Sequence, residues 1–288
     1  MLHFIYNPKS GSGKGEKIMG AIADKLKQLN VDFSTHPTTE PKHATLIAKE
    51  LSLSGATDII ALGGDGTISE VLNGIDVDKV NMGIIPAGSG NDFIVSAKIP
   101  LDPLKALDII LNGEAKPTDF LNCSGVRGLN VIGAGIDVEV LERCQKSKFF
   151  KGKLQYVLSL LVSLIKFKFY HFEVVKKDKR EEKNALIVCC GNGKIFGGGI
   201  KICPEAKIDD GLMDFIVCDK MSKWKIPNAF IKLMKGKILE QWFTQFSREE
   251  HVEVIFDRPT TVNVDGELYP NLPFNVSIEK GKLKLFRP

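Results

Sequence analysis

Hydrophobic and polar positions divide the chain into two stretches with different rhythms. In the first, short apolar runs alternate with helical patterns. Leu2–Tyr6 is an apolar run that stops at a Gly-rich loop, Asn7–Gly15, after which Ile18, Ile22, Leu26 and Leu29 recur at helical spacing. Val31–His36 reads as a second strand and Ala44–Leu53 as a second helix. Asp58–Leu62 is a buried strand running into Gly63-Gly64-Asp65-Gly66-Thr67, with a short helix to about Leu72. Met82–Ile85 is the next strand, ending at Pro86-Ala87-Gly88-Ser89-Gly90-Asn91-Asp92, where Asn91-Asp92 opens a helix; Pro103–Leu111 is another. Strands alternating with helices predict a parallel α/β sheet with right-handed crossovers.

Near Lys116 the rhythm changes. Phe120–Ser124, Leu129–Ile132, Phe169–Val175, Leu186–Cys190, Met213–Cys218, Val252–Phe256, Thr260–Val264, Asn275–Ile278 and Leu283–Phe286 read as strands, the later ones with period-2 alternation. Two helices interrupt them, about Leu154–Ile165 and Lys223–Met234, and Lys176–Lys183 is a solvated hairpin turn. The expected organisation is an α/β domain over 1–117 and a mainly antiparallel, β-rich domain over 118–288.

Composition narrows the class. With 288 residues, 43% hydrophobic and 26% charged, the chain is neither disordered nor a small disulfide scaffold, and its length suits two domains. A net charge of +4 without a basic stripe gives no reason to expect nucleic acid. Six cysteines without a C-x-x-C pair suggest buried free thiols in a reducing cytosol, and five histidines without H-E-x-x-H spacing argue against a histidine metal site. The start MLHFIYNP has no basic n-region, and the most apolar stretch, Leu154–Ile165, is too short and interrupted to span a bilayer.

Candidate chemistry lies in three loops that each follow a strand of the first domain. Glycines there let backbone N–H groups approach a phosphate, and a following helix start adds partial positive charge. Neither nucleotide fingerprint is met: Ser10-Gly11-Ser12-Gly13-Lys14-Gly15 lacks the G-x-x-x-x-G-K-[ST] spacing, and Glu16 stands where the third glycine of G-x-G-x-x-G belongs. In Gly63–Thr67, Asp65 is the only long side chain; a carboxylate in a phosphate loop makes sense if a cation such as Mg²⁺ bridges the two, or if it caps the helix. In the second domain, Asp265-Gly266-Glu267 follows the strand Val262-Asn263-Val264. Two carboxylates flanking Gly266 would suit a base working near neutral pH, although Asp-Gly is also a hairpin turn signal.

Together with Asn7-Pro8-Lys9-Ser10-Gly11 and Asp210-Gly211-Leu212-Met213-Asp214, these segments resemble the diacylglycerol kinase catalytic family, and within it the soluble bacterial lipid kinases. The resemblance implies an NAD kinase/diacylglycerol kinase-like nucleotide domain, a β-rich C-terminal domain and an active site in the cleft between them. It implies ATP against Asn7, Pro8, Lys9, Ser10, Gly11, Thr39, the stretch Gly64, Asp65, Gly66, Thr67, Ile68, Ser69 and Glu70, and Ser89. It also implies Mg²⁺ at the Asp210 carboxylate and the main-chain carbonyls of Lys207 and Leu212. The proton acceptor maps to Glu267, with Asp265 and Asp65 as the other candidates. The acceptor expected from the resemblance is a lipid hydroxyl, most simply that of diacylglycerol, met by a cytoplasmic protein at the inner face of a membrane. A homodimer stays open.

Two rival functions also stay open: a kinase for a soluble substrate, such as an NAD kinase, and a non-catalytic nucleotide or lipid sensor. Lys148-Phe149-Phe150-Lys151 and Lys166-Phe167-Lys168-Phe169-Tyr170 flank the apolar helix with cations and aromatics, which suits an interfacial surface or a core helix with solvated ends.

Overall fold

The structure is a computed structural model that describes residues 1–88, 90–146, 167, 169–177 and 179–288. It divides into two compact units: residues 1–119 with 280–288, and residues 120–279. The expected boundary at 117/118 gave the whole C-terminus to the second domain, whereas Lys280–Pro288 returns to the first unit.

The first unit runs β1 (Leu2–Tyr6), α1 (Ser10–Gln28), β2 (Phe33–Pro37), α2 (His43–Leu53), β3 (Asp58–Gly63), α3 (Asp65–Gly74), β4 (Asn81–Pro86), α4 (Asp92–Ala97) and α5 (Pro103–Asn112). Its strands lie in the order β2-β1-β3-β4, all parallel. The last strand, β15 (Phe274–Phe286), adds to that edge where Lys284 and Leu285 pair with Asn81 and Met82. Right-handed crossovers put α1 on one face and α2 with α3 on the other, because β1→β2 and β2→β3 run in opposite directions across the sheet. Phe4, Ile5, Ile22, Leu26, Ile59, Ile60, Leu72 and Met82 are fully buried in the resulting core. The helical spacing read for α1 holds for Ile22 and Leu26; Met19 is buried with them and Leu29 is exposed. Asp102 caps α5, its carboxylate accepting from the Leu104 and Lys105 amides with Pro103 in the first turn.

The strand order reverses between β1 and β3. In open α/β sheets such a switch point, beyond the carboxyl ends of the strands, is where ligands bind. The loops Asn7–Gly15 and Gly63–Thr67 emerge there.

Strand β5 (Ala115–Cys123) carries the chain into the second unit. There follow β6 (Val126–Gly128), β7 (Val131–Gly135), α6 (Ile136–Lys146), β8 (Tyr170–Lys176), β9 (Lys179–Gly191), β10 (Met213–Asp219), α7 (Ile226–Met234), β11 (Thr244–Glu249), β12 (His251–Phe256), β13 (Thr261–Val264) and β14 (Glu267–Pro270). The order β14-β13-β7-β9-β8-β12-β15 is antiparallel throughout, and β10 joins β9 to β11. Two apolar clusters lie on the two sides of β9. Val188 and Cys190 enter one, with Phe172, Phe215 and Phe274; Ile187 and Cys189 enter the other, with Ile200, Ile216 and Phe243. That explains why Leu186–Cys190 is apolar without alternation: both faces of the strand are buried. Cys123, Cys189, Cys190, Cys203 and Cys218 are free and buried.

Differences from the sequence reading have local causes. Strand β11 (Thr-Gln-Phe-Ser-Arg-Glu) is mostly polar and half exposed, so it carries no apolar signal. Asn275–Ile278 and Leu283–Phe286 are one strand, not two; at its exposed middle Gly281 takes φ +58° and donates its N–H to Asp119. Helix α6 and strands β6 and β14 were not expected. The expected helix Leu154–Ile165 lies outside the described residues. Phe167, read as part of either an interfacial surface or the solvated end of a core helix, is buried against Phe169 and Tyr170.

Candidate active site

In the first unit the three loops lock together through glycine. Gly11 is left-handed (φ +58°), and a Cβ on it would stand 2.2 Å from the carbonyl oxygen of Ala87. A Cβ on Gly88 would stand 2.4 Å from the Cα of Gly64. Side chains at either place would push the loops apart. The helix assigned from Ser10 starts with Gly11, Ser12 and Gly13 all left-handed, so the chain turns sharply before α1 proper. Asn7 fixes the entry: its Oδ1 accepts the Lys9 N–H at 2.9 Å, and its carbonyl accepts the Ser10 N–H at 3.0 Å. On α3 the first helical bond is Ile68 N–H to Gly64 O at 3.1 Å, so the amides before it face outward from the helix start. Two helix starts thus lie at the switch point, an arrangement of backbone that suits an anion.

Several expected nucleotide contacts have other partners. Asp65 Oδ1 accepts the Asp92 N–H at 2.9 Å, at the start of α4. Burial, and next the Asp92 carboxylate, push its carboxyl up to about 6, against the amides of Asp92, Asn91 and Phe93. Asp65 thus ties the second loop to the third. Glu70 caps α2, accepting from the Lys42 and Ala44 amides at 2.9 and 3.0 Å. Thr39 donates its N–H to His43 Nδ1 at 3.1 Å. Ile68 is 2% exposed and part of the core, and Ser69 and Thr67 are buried. Ser89 lies outside the described residues. What the structure brings together is therefore Asn7, Pro8, Lys9, Ser10 and Gly11 with Gly64, Asp65, Gly66 and Thr67.

In the second unit the Asp265–Gly266 turn is a two-residue hairpin joining β13 to β14, with φ of +50° and +94°. The Asp265 carboxylate is spent on the β6–β7 connection: Oδ2 accepts from Leu129 N–H, and Oδ1 from Asn130 and Val131 N–H, each at 2.9 Å. It is a positioning group here, which disfavours it as a base. Glu267 opens β14 and is exposed to solvent. Asn263 links the turn to the interior, with Oδ1 accepting the Gly266 N–H at 2.8 Å and Nδ2 donating to Asp137 Oδ2 at 3.0 Å.

Asp137 was not among the residues expected from the sequence. It is 3% exposed, at the start of α6. Burial pushes its carboxyl up to about 6, against the Asn263 hydrogen bond. Its Oδ1 makes no hydrogen bond among the described residues. It stands in the wall of a small cavity of about 60 Å³ otherwise lined by apolar residues, Leu186, Phe196, Ile200, Phe230, Leu233 and Phe243 among them. The signal in the sequence was an Asp just after the apolar run from Val131 to Ile136, with Glu139 two residues on.

Asp210, Lys207 and Leu212 lie on the approach to β10, where Asp210 Oδ1 accepts the Leu212 N–H at 3.2 Å. Asp214 follows, buried, with Oδ1 3.4 Å from Arg248 Nε and Oδ2 without a hydrogen-bond partner among the described residues. Burial pushes Asp214 up to about 6, Arg248 opposes this, and the Asp210 charge adds to the rise. A carboxylate, main-chain carbonyls and an orphaned buried oxygen form an all-oxygen set that suits a hard cation. No cluster of three or more His, Cys, Asp or Glu side chains occurs among the described residues.

Residues 1–123 match the model for the diacylglycerol kinase catalytic domain, and residues 130–287 match that for the YegS C-terminal NAD kinase beta sandwich-like domain. The chain belongs to the diacylglycerol kinase family. A protein of Bacillus subtilis named diacylglycerol kinase is 30% identical over 273 residues, 93% of this chain and 90% of its own. One of Mycobacterium tuberculosis with the same name is 29% identical over 295 residues, covering 99% and 94%. A crystal structure described as a diacylglycerol kinase from Bacillus anthracis shares the fold. Its TM-score is 0.77 at 22% identity, over 100% of this chain and 96% of that one. A second structure from that organism reaches 0.83 at 23% identity, over 100% and 95%. Kinase chemistry thus comes with the family. No helix among the described residues is long and apolar enough to cross a membrane.

Proposed function

We propose that this kinase transfers the γ-phosphoryl group of ATP to the hydroxyl of diacylglycerol, giving phosphatidic acid. The observation that carries the lipid reading is the apolar pocket with a single carboxylate, Asp137, in its wall, joined through Asn263 to the Asp265–Glu267 turn. An apolar wall of this kind suits the first methylenes of an acyl chain, and Asp137 ties it through Asn263 to the turn that would meet the hydroxyl. An NAD kinase reading has no use for so apolar a space. Names of the relatives support the choice of diacylglycerol.

The first unit supplies the phosphate cradle: the first-turn amides of α3, Asp65–Thr67, with the Gly11 backbone and the Ser10 hydroxyl of the first loop, and Thr39 beside the nucleotide. Asp65 holds the loops in register. In the second unit Glu267 accepts the hydroxyl proton as the alcohol attacks, and Asp265 fixes the turn that aims it. Asp210, with main-chain oxygens of Lys207 and Leu212, would hold Mg²⁺. When bound, that ion supplies positive charge beside the acidic residues of this edge. Contact with a membrane is peripheral, at the cytoplasmic face.

The test is γ-labelled ATP with diacylglycerol, another glycerolipid and a sphingoid base in mixed micelles, and NAD in solution. Label in phosphatidic acid is the expected result; label in NAD and in no lipid would replace the reading with the NAD kinase one.

A further inference from the structure

Helix α7 has two apolar sides, and the pocket accounts for only one. Ala229, Phe230 and Leu233 line the pocket. Turned to solvent are Ile231 at 51% and Met234 at 38% exposure, with Trp224 at 93% and Trp242 at 68% beside them. Large apolar side chains gathered this openly on a soluble unit mark a docking surface.

The charge around them names the partner. From Lys220 to Phe243 the chain carries six lysines and one glutamate, a local +5 in a protein whose total is +4. Lys220, Lys225, Lys235 and Lys237 are exposed, and the Lys225 ammonium sits 4.5 Å from the centre of the Trp242 ring. Tryptophans and lysines around a short amphipathic helix are what a bilayer–water interface selects: indoles at headgroup depth, lysine stems in the apolar layer and ammonium groups on anionic lipid. Six lysines against one glutamate over this stretch suit a surface of anionic headgroups.

We infer that the Trp224–Ile231–Met234–Trp242 face docks on an anionic lipid bilayer. The inference rests on the lipid kinase reading for the choice of a bilayer, and it gives that reading a direction: the helix that would touch the membrane also walls the acyl pocket. A lipid entering from the docked face would pass from bilayer to pocket along α7 without crossing water.

Trp224 and Trp242 are the chain's only two tryptophans, so intrinsic fluorescence reports on this face alone. The experiment adds vesicles of phosphatidylglycerol with phosphatidylcholine, or of phosphatidylcholine alone, all without diacylglycerol, to the full-length protein. Emission should shift to the blue with the anionic vesicles only, and high salt should reverse the shift. The Lys225→Gln/Lys235→Gln/Lys237→Gln variant should bind more weakly by about fivefold per lysine. The Trp224→Ala/Trp242→Ala variant should lose co-sedimentation while phosphorylating a short-chain diacylglycerol in detergent micelles as before. Vesicle binding with unchanged tryptophan emission would overturn the inference. So would a lipid-free dimer whose tryptophans are already shielded, since the partner would then be a second copy. Docking as expected with no lipid phosphorylated supports this surface and removes the proposed function instead, so the two fail separately.

Discussion

The two units build their candidate sites from different material. In the first, backbone does the work: Gly11 and Gly88 let three loops approach to distances that a Cβ would prohibit, and the helix starts present amides. In the second, side chains do it: Asn263 links Asp137 in the pocket wall to the Gly266 N–H of the turn that carries Glu267, and Asp265 ties that turn to the amides of 129–131. A backbone cradle responds first to added volume, and to pH only through Asp65. A side-chain line that begins at the buried Asp137 carboxylate tolerates small changes of shape but responds to charge and protonation. The same size of insult should therefore harm the two units in different ways, and that contrast can be broken experimentally.

Asp265→Ala has the largest expected effect. It leaves three buried amides, those of Leu129, Asn130 and Val131, without an acceptor, at a cost of about 4 kcal/mol. Denaturant unfolding checks this. If Asp265→Ala were as stable as wild type, the carboxylate would not be holding the turn. Asp265→Asn should recover part of the loss.

Asp137→Asn comes next, with the opposite sign. Its folded carboxyl is raised to about 6 from 3.8, so its contribution is fully present below pH 4 and is lost as pH rises through 6. Above pH 7 the ionised group costs on the order of 3 kcal/mol, which the amide removes. The variant should melt higher than wild type at pH 8, with the gap closing below pH 4. It should also turn over diacylglycerol more slowly, as expected where a strained charge serves substrate. A gap independent of pH would deny the buried charge its role.

Gly88→Ala should cost about 2 kcal/mol and weaken nucleotide binding, because the new methyl meets backbone on the neighbouring loop. Gly66→Ala, with nothing within 4 Å of its Cβ, should fold as wild type. Calorimetry of the pair separates loop packing from the general sensitivity of glycine.

The smallest effect is at His3 and His36, which share the Ser34 hydroxyl at 2.9 and 2.8 Å. Burial lowers both, and the neighbouring His36 lowers His3 further. Their neutral forms stabilise the fold above pH 6.5, and that contribution is lost as pH falls. A His3→Gln/His36→Gln variant should show a shallower acid-side decline in melting temperature than wild type.

Strands β1, β3 and β4 of the first unit were legible in sequence nearly to the residue, because each is a short apolar run closed by glycine or proline, whereas the mostly polar β2 starts two residues later than its pattern suggested. The turns that carry Asp65 and Glu267 were legible too, although the Asp92 amide that Asp65 holds was not. Their neighbours' roles were not. Asp265 looked like half of a carboxylate pair, yet its partners are amides at 129–131, far away in sequence. Glu70 looked like part of a nucleotide loop, yet it caps α2, because α2 and α3 pack side by side. Hydrogen-bond partners of this kind are fixed by tertiary packing, which no local spacing encodes. Asp137 escaped for the same reason: of the two acids Asp137 and Glu139, only the folded cavity shows which one is buried.

The most direct measurement compares wild type with Glu267→Ala, using γ-labelled ATP and diacylglycerol in mixed micelles, alongside calorimetric titration with ATP. Glu267 is exposed, so the variant should fold and bind ATP as wild type does, while turnover falls by about 10²–10⁴-fold. Undiminished phosphatidic acid formation by Glu267→Ala would contradict the account.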